Sequence, residues 1–268
     1  MNYLTKSTYD EFQLAKEENK ARIVLSLDMG KSKTLVSLKQ LEKMFSGIKK
    51  IKAKEIYVSD GDRTYKPAIF GTNLYSLGLD EHGFPILYID GVKMNVGKDV
   101  GVEKYNNSVI NSLKLDDNDS VLEVCTGLGY KTLIMSPIVR KITTIEKSNE
   151  VLELAKLNPY SKGLFTHKNI TVKNGNAFDE IKNLPDDSFT RLLHDPPTFK
   201  FAPELYSEEF YLELYRVAKE GARLFHYTGL PGSRNSSRNL MNSTKDKLAR
   251  SGWKVIRKEN LGLLALRD

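Results

Sequence analysis

From about residue 101 onward, short apolar runs alternate with helix-like segments, and this alternation limits the possible folds more than any other feature of the chain. The apolar runs are Ser120–Val124, Ile142–Ile145, Ile170–Val172, Phe189–His194, Ala222–Tyr227, Lys254–Arg257 and Gly262–Leu266. Helical spacing fits between them, most clearly at Asn149–Leu157, Ser207–Lys219 and Arg238–Arg250. Runs that are apolar throughout need cover on both faces, which an α/β sheet with helices above and below provides. The pattern therefore predicts a mostly parallel sheet, with any ligand beyond the carboxyl ends of its strands.

Residues 1–100 read differently. A helix is expected over Thr8–Glu18, strands over Ile23–Leu27 and Thr34–Leu38, and a second helix over 39–47. Strand-like runs follow at Ile56–Val58, Asn73–Leu77 and Pro85–Ile89. Turn signals separate them: Asp60-Gly61-Asp62, Glu81-His82-Gly83 and Asp90-Gly91. Short strands joined in this way predict a small α+β domain built on a β-meander. The expected division is 1–100 for this unit and 101–268 for the larger α/β unit.

Composition narrows the partners. The chain has 268 residues, 40% apolar and 28% charged, a balance that suits a globular protein with a sizeable core. No run approaches the roughly 20 apolar residues of a membrane span. The first twenty residues lack the apolar core of a signal peptide. A cytoplasmic protein without a membrane partner is expected. A single cysteine, Cys125, makes neither an intramolecular disulfide nor a cysteine-rich metal site. His82, His167, His194 and His226 lack metal-binding spacing, so no metal is expected. The net charge of +7 leaves open both a polyanionic partner and a lysine-rich surface kept for solubility.

The first strand of the larger unit runs into Cys125-Thr126-Gly127-Leu128-Gly129-Tyr130. Glycines let a backbone pass close beneath a ligand, and a following helix presents unpaired N–H groups. Glu146 ends the next strand, 19 residues after Gly127, where a carboxylate can accept hydrogen bonds from both ribose hydroxyls. Gly175-Asn176-Ala177-Phe178 follows the third strand. A dinucleotide fingerprint would have a third glycine where Thr132 stands. The rival reading is a tight turn beside a solvated acid. Gly30-Lys31-Ser32 matches the end of a phosphate-binding loop, but Leu25 stands where that motif needs its first glycine.

The fourth strand closes on His194-Asp195-Pro196-Pro197-Thr198-Phe199. Two prolines stiffen the loop and aim its carbonyls, with an acceptor carboxylate before them and an aromatic ring after. The alternative is that the prolines only end a strand. His194 and His226 fall at strand ends and suit either a structural or a pocket role. The loop Gly232–Asn239, with Arg234 and Arg238, suits either phosphate contact or a solvated loop ending in a helix cap.

These residues resemble the class I, Rossmann-like S-adenosylmethionine-dependent methyltransferases. Glu123, Gly127 and Gly129 match that family's first motif, acid-x-x-x-G-x-G. The resemblance implies that Glu123, Thr126, Gly127, Gly129 and Tyr130 surround the cofactor, that Glu146 and Lys147 hold its ribose side, and that Asn176 and Ala177 border its adenine. Asn176 stands where the family usually has aspartate. Asp195-Pro196-Pro197-x-Phe199 resembles the D-P-P-aromatic motif of amino-methyltransferases acting on nucleobases, with Thr198 inserted before the ring. That resemblance makes Asp195, Pro196, Pro197 and Phe199 the catalytic set, with Asp195 also facing the cofactor. The arrangement is similar, over most of residues 85–268, to a group of archaeal predicted methyltransferases related to spermidine synthases. The implied activity is methylation of an exocyclic base nitrogen in rRNA or tRNA, such as cytidine N4. Aminopropyl transfer to a polyamine is the alternative.

Overall fold

The structure, a computed structural model, describes residues 1–94, 101–229, 236–259 and 261–268, apart from the side chains of 236–239 and 259. The chain divides into two compact units, one of residues 1–102 with 153–160 and one of 103–152 with 161–268.

The first unit opens with β1 (Asn2–Leu4), α1 (Lys6–Glu17), β2 (Arg22–Leu25), β3 (Thr34–Ser37) and α2 (Leu38–Met44). It continues through β4 (Tyr57–Ser59), β5 (Thr64–Tyr65), β6 (Ala68–Phe70), β7 (Leu74–Leu79), β8 (Pro85–Ile89) and β9 (Val92–Lys93). Both helices start where a hydroxyl can satisfy an orphan N–H: Thr5 accepts from Thr8, and Ser37 from Gln40. The strands form antiparallel sheets β1-β4-β5, β2-β3 and β6-β7-β8-β9; the last is a meander that contains two of the three expected strands, whereas the run around Ile56–Val58 forms β4 and pairs with β1 and β5. Leu4, Leu25, Val36 and Leu41 build the core around Phe12 and Phe45, which stack at 4.8 Å.

The second unit holds α3 (Val102–Leu113), β10 (Ser120–Val124), α4 (Tyr130–Met135), β11 (Lys141–Glu146) and α5 (Asn149–Leu157, its C-terminal half in the first unit). Then come β12 (Ile170–Asn174), α6 (Ala177–Glu180), β13 (Phe189–His194), α7 (Glu208–Val217), β14 (Ala218–Tyr227), α8 (Ser236–Arg250), β15 (Trp253–Glu259) and β16 (Gly262–Arg267). One seven-stranded sheet results, in the order β12-β11-β10-β13-β14-β16-β15. Its first five strands are parallel, and β16 lies antiparallel between β14 and β15. All five residues of β10 are buried, as a central strand covered on both faces requires. Helix α7 puts Phe210, Tyr211, Leu214 and Val217 into the core at helical spacing, and Trp253 donates to the Tyr211 carbonyl at 3.2 Å.

Several elements differ from the sequence expectation: β1, β5, β6, β9 and α6 are additional, and two helices of the second unit differ for a plain physical reason. Helix α7 stops at Val217, short of Lys219, because Ala218 turns extended and pairs with Phe189 at the start of β14. Lys219 and Glu220 are good helix formers, but sheet pairing overrides so weak a preference. Helix α3 was not anticipated; its buried Val102, Tyr105, Val109, Ile110 and Leu113 fall on one helical stripe.

The chain leaves β10 toward β11 and β12, then returns to the other side of β10 at β13. The carboxyl ends of β10 and β13 are therefore the switch point where an open α/β sheet forms its ligand crevice.

Candidate active site

Cys125 and Thr126 both donate backbone N–H to the Ile145 carbonyl, at 3.0 and 3.2 Å, which ties the turn after β10 to β11. Three left-handed residues bend it: Cys125 (φ 70°), Gly127 (φ 56°) and Gly129 (φ 76°). A side chain at Gly129 would meet Leu164 Cδ2 at 2.7 Å, so this glycine is needed for packing as well as conformation. At Gly127 a Cβ would meet nothing within 4 Å, so the turn opens onto free space. Leu128 is buried beneath it, and its carbonyl accepts from buried Ser161 at 2.6 Å.

Glu123 lies under this turn, 1% exposed. Its carboxylate accepts from the Thr132 hydroxyl and, at 2.8 Å, from the Thr144 hydroxyl; Thr144 also bonds Thr126 at 2.6 Å. Thr132, where a dinucleotide fingerprint has glycine, is thus a brace for the motif acid. Burial pushes the Glu123 carboxyl up to about 7 against the lowering effect of the two hydroxyls. Cys125 packs against the core, and burial pushes its thiol well above the ordinary range, which suits packing and not nucleophilic attack. Tyr130 is buried at the start of α4.

Glu146 reaches back to the glycine turn. One carboxylate oxygen accepts from Gly127 N at 2.8 Å and the other from Ser148 N at 3.0 Å. A carboxylate has about four lone-pair positions, so about two remain for a vicinal diol. Desolvation raises its pKa, and these N–H donors oppose the rise. Lys147 is exposed. Asn176 caps α6 by accepting from Phe178 N at 3.1 Å, and Ala177 is buried in the core behind it. The open glycine turn and the half-used carboxylate fit a nucleoside with free ribose hydroxyls.

The acceptor loop meets the glycine turn directly: Asp195 N donates to the Val124 carbonyl at 3.2 Å. Asp195 Oδ2 pairs with Lys131 Nζ, both side chains largely buried. Among the described residues, Asp195 Oδ1 and the Pro196 carbonyl accept no hydrogen bond. The Pro197 carbonyl accepts from Tyr206 at 2.8 Å, which pins the loop. Phe199 is 46% exposed and meets Tyr206 edge-on at 5.6 Å. Burial, and then the charge of Asp195, raise the phenols of Tyr105 and Tyr227, the latter to about 12. Sequence reading missed three of these neighbours. Lys131 falls in the first turn of α4, next to Tyr130, Tyr105 lies on the unanticipated α3, and Tyr227 ends β14.

His194 and His226 are adjacent in register on β13 and β14, and neither is exposed. Their rings lie 4.3 Å apart; His194 Nε2 bonds the Leu205 carbonyl and His226 Nε2 the Tyr211 hydroxyl. Desolvation lowers both pKa values, that of His194 to about 4, so both are neutral core residues at pH 7. Residues 232–235 of the arginine-containing loop, and the side chains of 236–239, lie outside the described residues.

The uncharacterized protein MJ1233 of Methanocaldococcus jannaschii is 34% identical over 283 residues, covering 100% of this chain and 96% of that protein. The chain belongs to the same family as MJ1233. A family model described as protein-L-isoaspartate(D-aspartate) O-methyltransferase matches residues 86–179, the stretch with the glycine turn and Glu146. The 23S rRNA (uracil(1939)-C(5))-methyltransferase RlmD of Aliivibrio fischeri is 30% identical over 122 residues, 42% of this chain and 27% of that protein. The rRNA adenine N-6-methyltransferase of Escherichia coli is 25% identical over 132 residues, 46% of this chain and 54% of that protein. Spermidine synthase from Thermotoga maritima superposes with a TM-score of 0.58 at 16% identity, over 75% of this chain and 71% of that one. Sheet order, glycine turn and family model agree on a class I S-adenosylmethionine-dependent methyltransferase. No helix among the described residues is long and apolar enough to cross a membrane.

Proposed function

We propose that the chain methylates an exocyclic base nitrogen in RNA, with cytidine N4 the favoured target. One observation carries this reading: the Asp195-Pro196-Pro197 loop is hydrogen-bonded to the end of β10, and two of its acceptors, Asp195 Oδ1 and the Pro196 carbonyl, have no partner among the described residues. An exocyclic amine offers two N–H donors, and its lone pair is delocalised into the ring. Two acceptors would hold the nitrogen pyramidal and aimed, so positioning supplies much of the catalysis. When bound, S-adenosylmethionine supplies a methyl group activated by its sulfonium. Gly127 and Gly129 would form the floor beneath it, and Glu146 would hold the ribose hydroxyls. Lys131 keeps Asp195 oriented through Oδ2, and Oδ1 takes the proton that the alkylated nitrogen sheds. Phe199, half exposed, offers a face to the base. The likeness to two rRNA methyltransferases, one of them acting on an adenine amine by its name, supports an RNA target.

The test is transfer of labelled methyl to separated, unmodified pools of rRNA, tRNA, DNA, protein and polyamine. Label on an exocyclic nitrogen of one RNA, located by nucleoside mass spectrometry, is the expected result. Label only in protein or small molecules overturns the roles given to Asp195 and Pro196. Aminopropyl transfer from a decarboxylated cofactor would instead establish the polyamine reading, which the overall likeness to a spermidine synthase fold favours.

A further inference from the structure

The first unit carries its charge very unevenly. Between Asn19 and Lys54 there are ten lysines and arginines against two acids, Asp28 and Glu42. The flanking stretches lean the other way: residues 1–18 hold two basic and four acidic residues, and residues 55–94 three and six. Solubility alone calls for mixed signs, so a local excess of this size marks a surface for an anionic partner.

The fold turns this stretch outward. It forms the β2-β3 hairpin, helix α2 and the chain that follows, and all ten cations are exposed. On the hairpin, strand alternation puts Ile23, Leu25 and Val36 toward the core, and Arg22, Val24 and Leu35 outward. Val24 and Leu35 are cross-strand partners, each 57% exposed. Lys39 and Lys43 are one turn apart on the outer side of α2. Among the described residues, Arg22, Lys33, Lys39, Lys49 and Lys50 form no ion pair. Within the stretch Lys20, Lys43 and Lys54 pair with Glu18, Asp62 and Glu81, and elsewhere in the unit Lys66 pairs with Glu55 and Lys6 with Asp10.

We propose that this hairpin–helix surface binds the phosphodiester backbone of the RNA substrate, an inference that rests on the RNA reading of the active site. Five uncompensated cations answer phosphates, and counterion release makes such contacts favourable at low salt. The Val24–Leu35 pair offers an apolar patch for sugar faces between them. No base-specific contact is implied, so the surface adds affinity and leaves the choice of nucleotide to the active site.

The experiment uses the full chain with Arg22, Lys33, Lys39, Lys49 and Lys50 all changed to Gln, and a control with the ion-paired Lys6 and Lys66 changed to Gln. Circular dichroism and S-adenosylmethionine binding check the fold; two smaller variants, Lys33→Gln/Lys39→Gln and Lys49→Gln/Lys50→Gln, serve if the fivefold one does not fold. The plot of log affinity for the RNA against log salt should become shallower by about 3.5 to 4.5, since each of the five lost phosphate contacts contributes roughly 0.7 to 0.9. KM for RNA should rise on the order of 100-fold at low salt, with kcat little changed and the control unaffected. An unchanged salt slope and KM in the folded variants overturns this inference and leaves the active-site reading intact. Loss of binding to anionic lipid vesicles with RNA binding retained also overturns it, and assigns the surface to a membrane. Methyl transfer by the unaltered chain only to a non-RNA pool overturns the active-site reading itself, and the inference that rests on it falls with it.

Discussion

At the scale of single residues, the site is decided by which oxygens are already in use. Glu146 has two lone-pair positions taken by backbone N–H groups, and Asp195 has one oxygen taken by Lys131. What remains on each is what a ribose or an amine can use. Replacing Glu146 with Ala removes hydrogen bonds to a charged acceptor, each worth about 1.5–3 kcal/mol. S-adenosylmethionine affinity should therefore fall on the order of 10- to 100-fold by calorimetry. Unaltered affinity would take Glu146 out of the cofactor site. Asp195→Asn keeps the size and loses the charge and an acceptor. Turnover should fall on the order of 100-fold, as misplacement of a reacting group commonly does, in a protein with unchanged near-ultraviolet dichroism. A folded variant with full turnover would remove Asp195 from the mechanism.

At the scale of elements, the turn after β10 holds left-handed backbone, and β10 and the β13–β14 pair hold buried titratable groups. Gly129→Ala puts a Cβ 2.7 Å from Leu164 Cδ2 at a φ of 76°. Overpacking and the left-handed backbone together predict a loss of about 1–3 kcal/mol, read as a lower denaturation midpoint. Gly127→Ala meets no neighbour, so only its backbone cost remains, and its effect on stability should be smaller. A larger loss at Gly127 than at Gly129 would contradict this account of the turn. Under β13 and β14, the histidine pair is neutral when folded, with His194 near 4. Unfolded histidines bind protons below about 6.5, so this contribution is complete above that pH and is lost as pH falls toward 4. Glu123 acts in the opposite direction. Its folded value near 7 lies above the ordinary carboxylate range, so it favours the folded state as pH falls through 7. Each effect is on the order of 3 kcal/mol, and they oppose each other between pH 7 and 5. Glu123→Gln removes the counterweight, so its melting temperature should drop more steeply over that range than that of the unaltered chain. Parallel profiles would show that neither group titrates as assigned.

At the scale of the whole molecule, a cofactor that binds only the folded chain stabilises it by mass action. At about 100 times Kd the gain is about 2.7 kcal/mol, seen as a rise in melting temperature with S-adenosylmethionine; at the same concentration Glu146→Ala should keep only about 0.4–1.4 kcal/mol of it. Much of the architecture that supports this was legible in the chain itself. The strands Ser120–Val124, Phe189–His194 and Pro85–Ile89 and the helix Asn149–Leu157 have the expected boundaries, because each is a strongly patterned run. The turn after β10 and the acid at the end of β11 were also visible, because their chemistry rests on residue types at fixed spacing. Helix α3 was not, since its stripe of Val102, Tyr105, Val109 and Leu113 is interrupted by polar Asn106 and Ser112, which are nevertheless buried.

The sequence by itself determined the α/β class and the two candidate loops, because hydrophobic period and glycine content act locally. Tertiary structure alone decided three further things. It joined the Asp195 loop to the end of β10, a contact between residues 71 apart in the chain that only parallel pairing of β10 with β13 creates. It set Lys131 against Asp195 and Thr132 against Glu123, because one turn of α4 lies over both strand ends. It also turned His194 and His226 from candidate pocket residues into a sealed pair, since their side chains point into the covered face of adjacent strands, where burial holds them neutral.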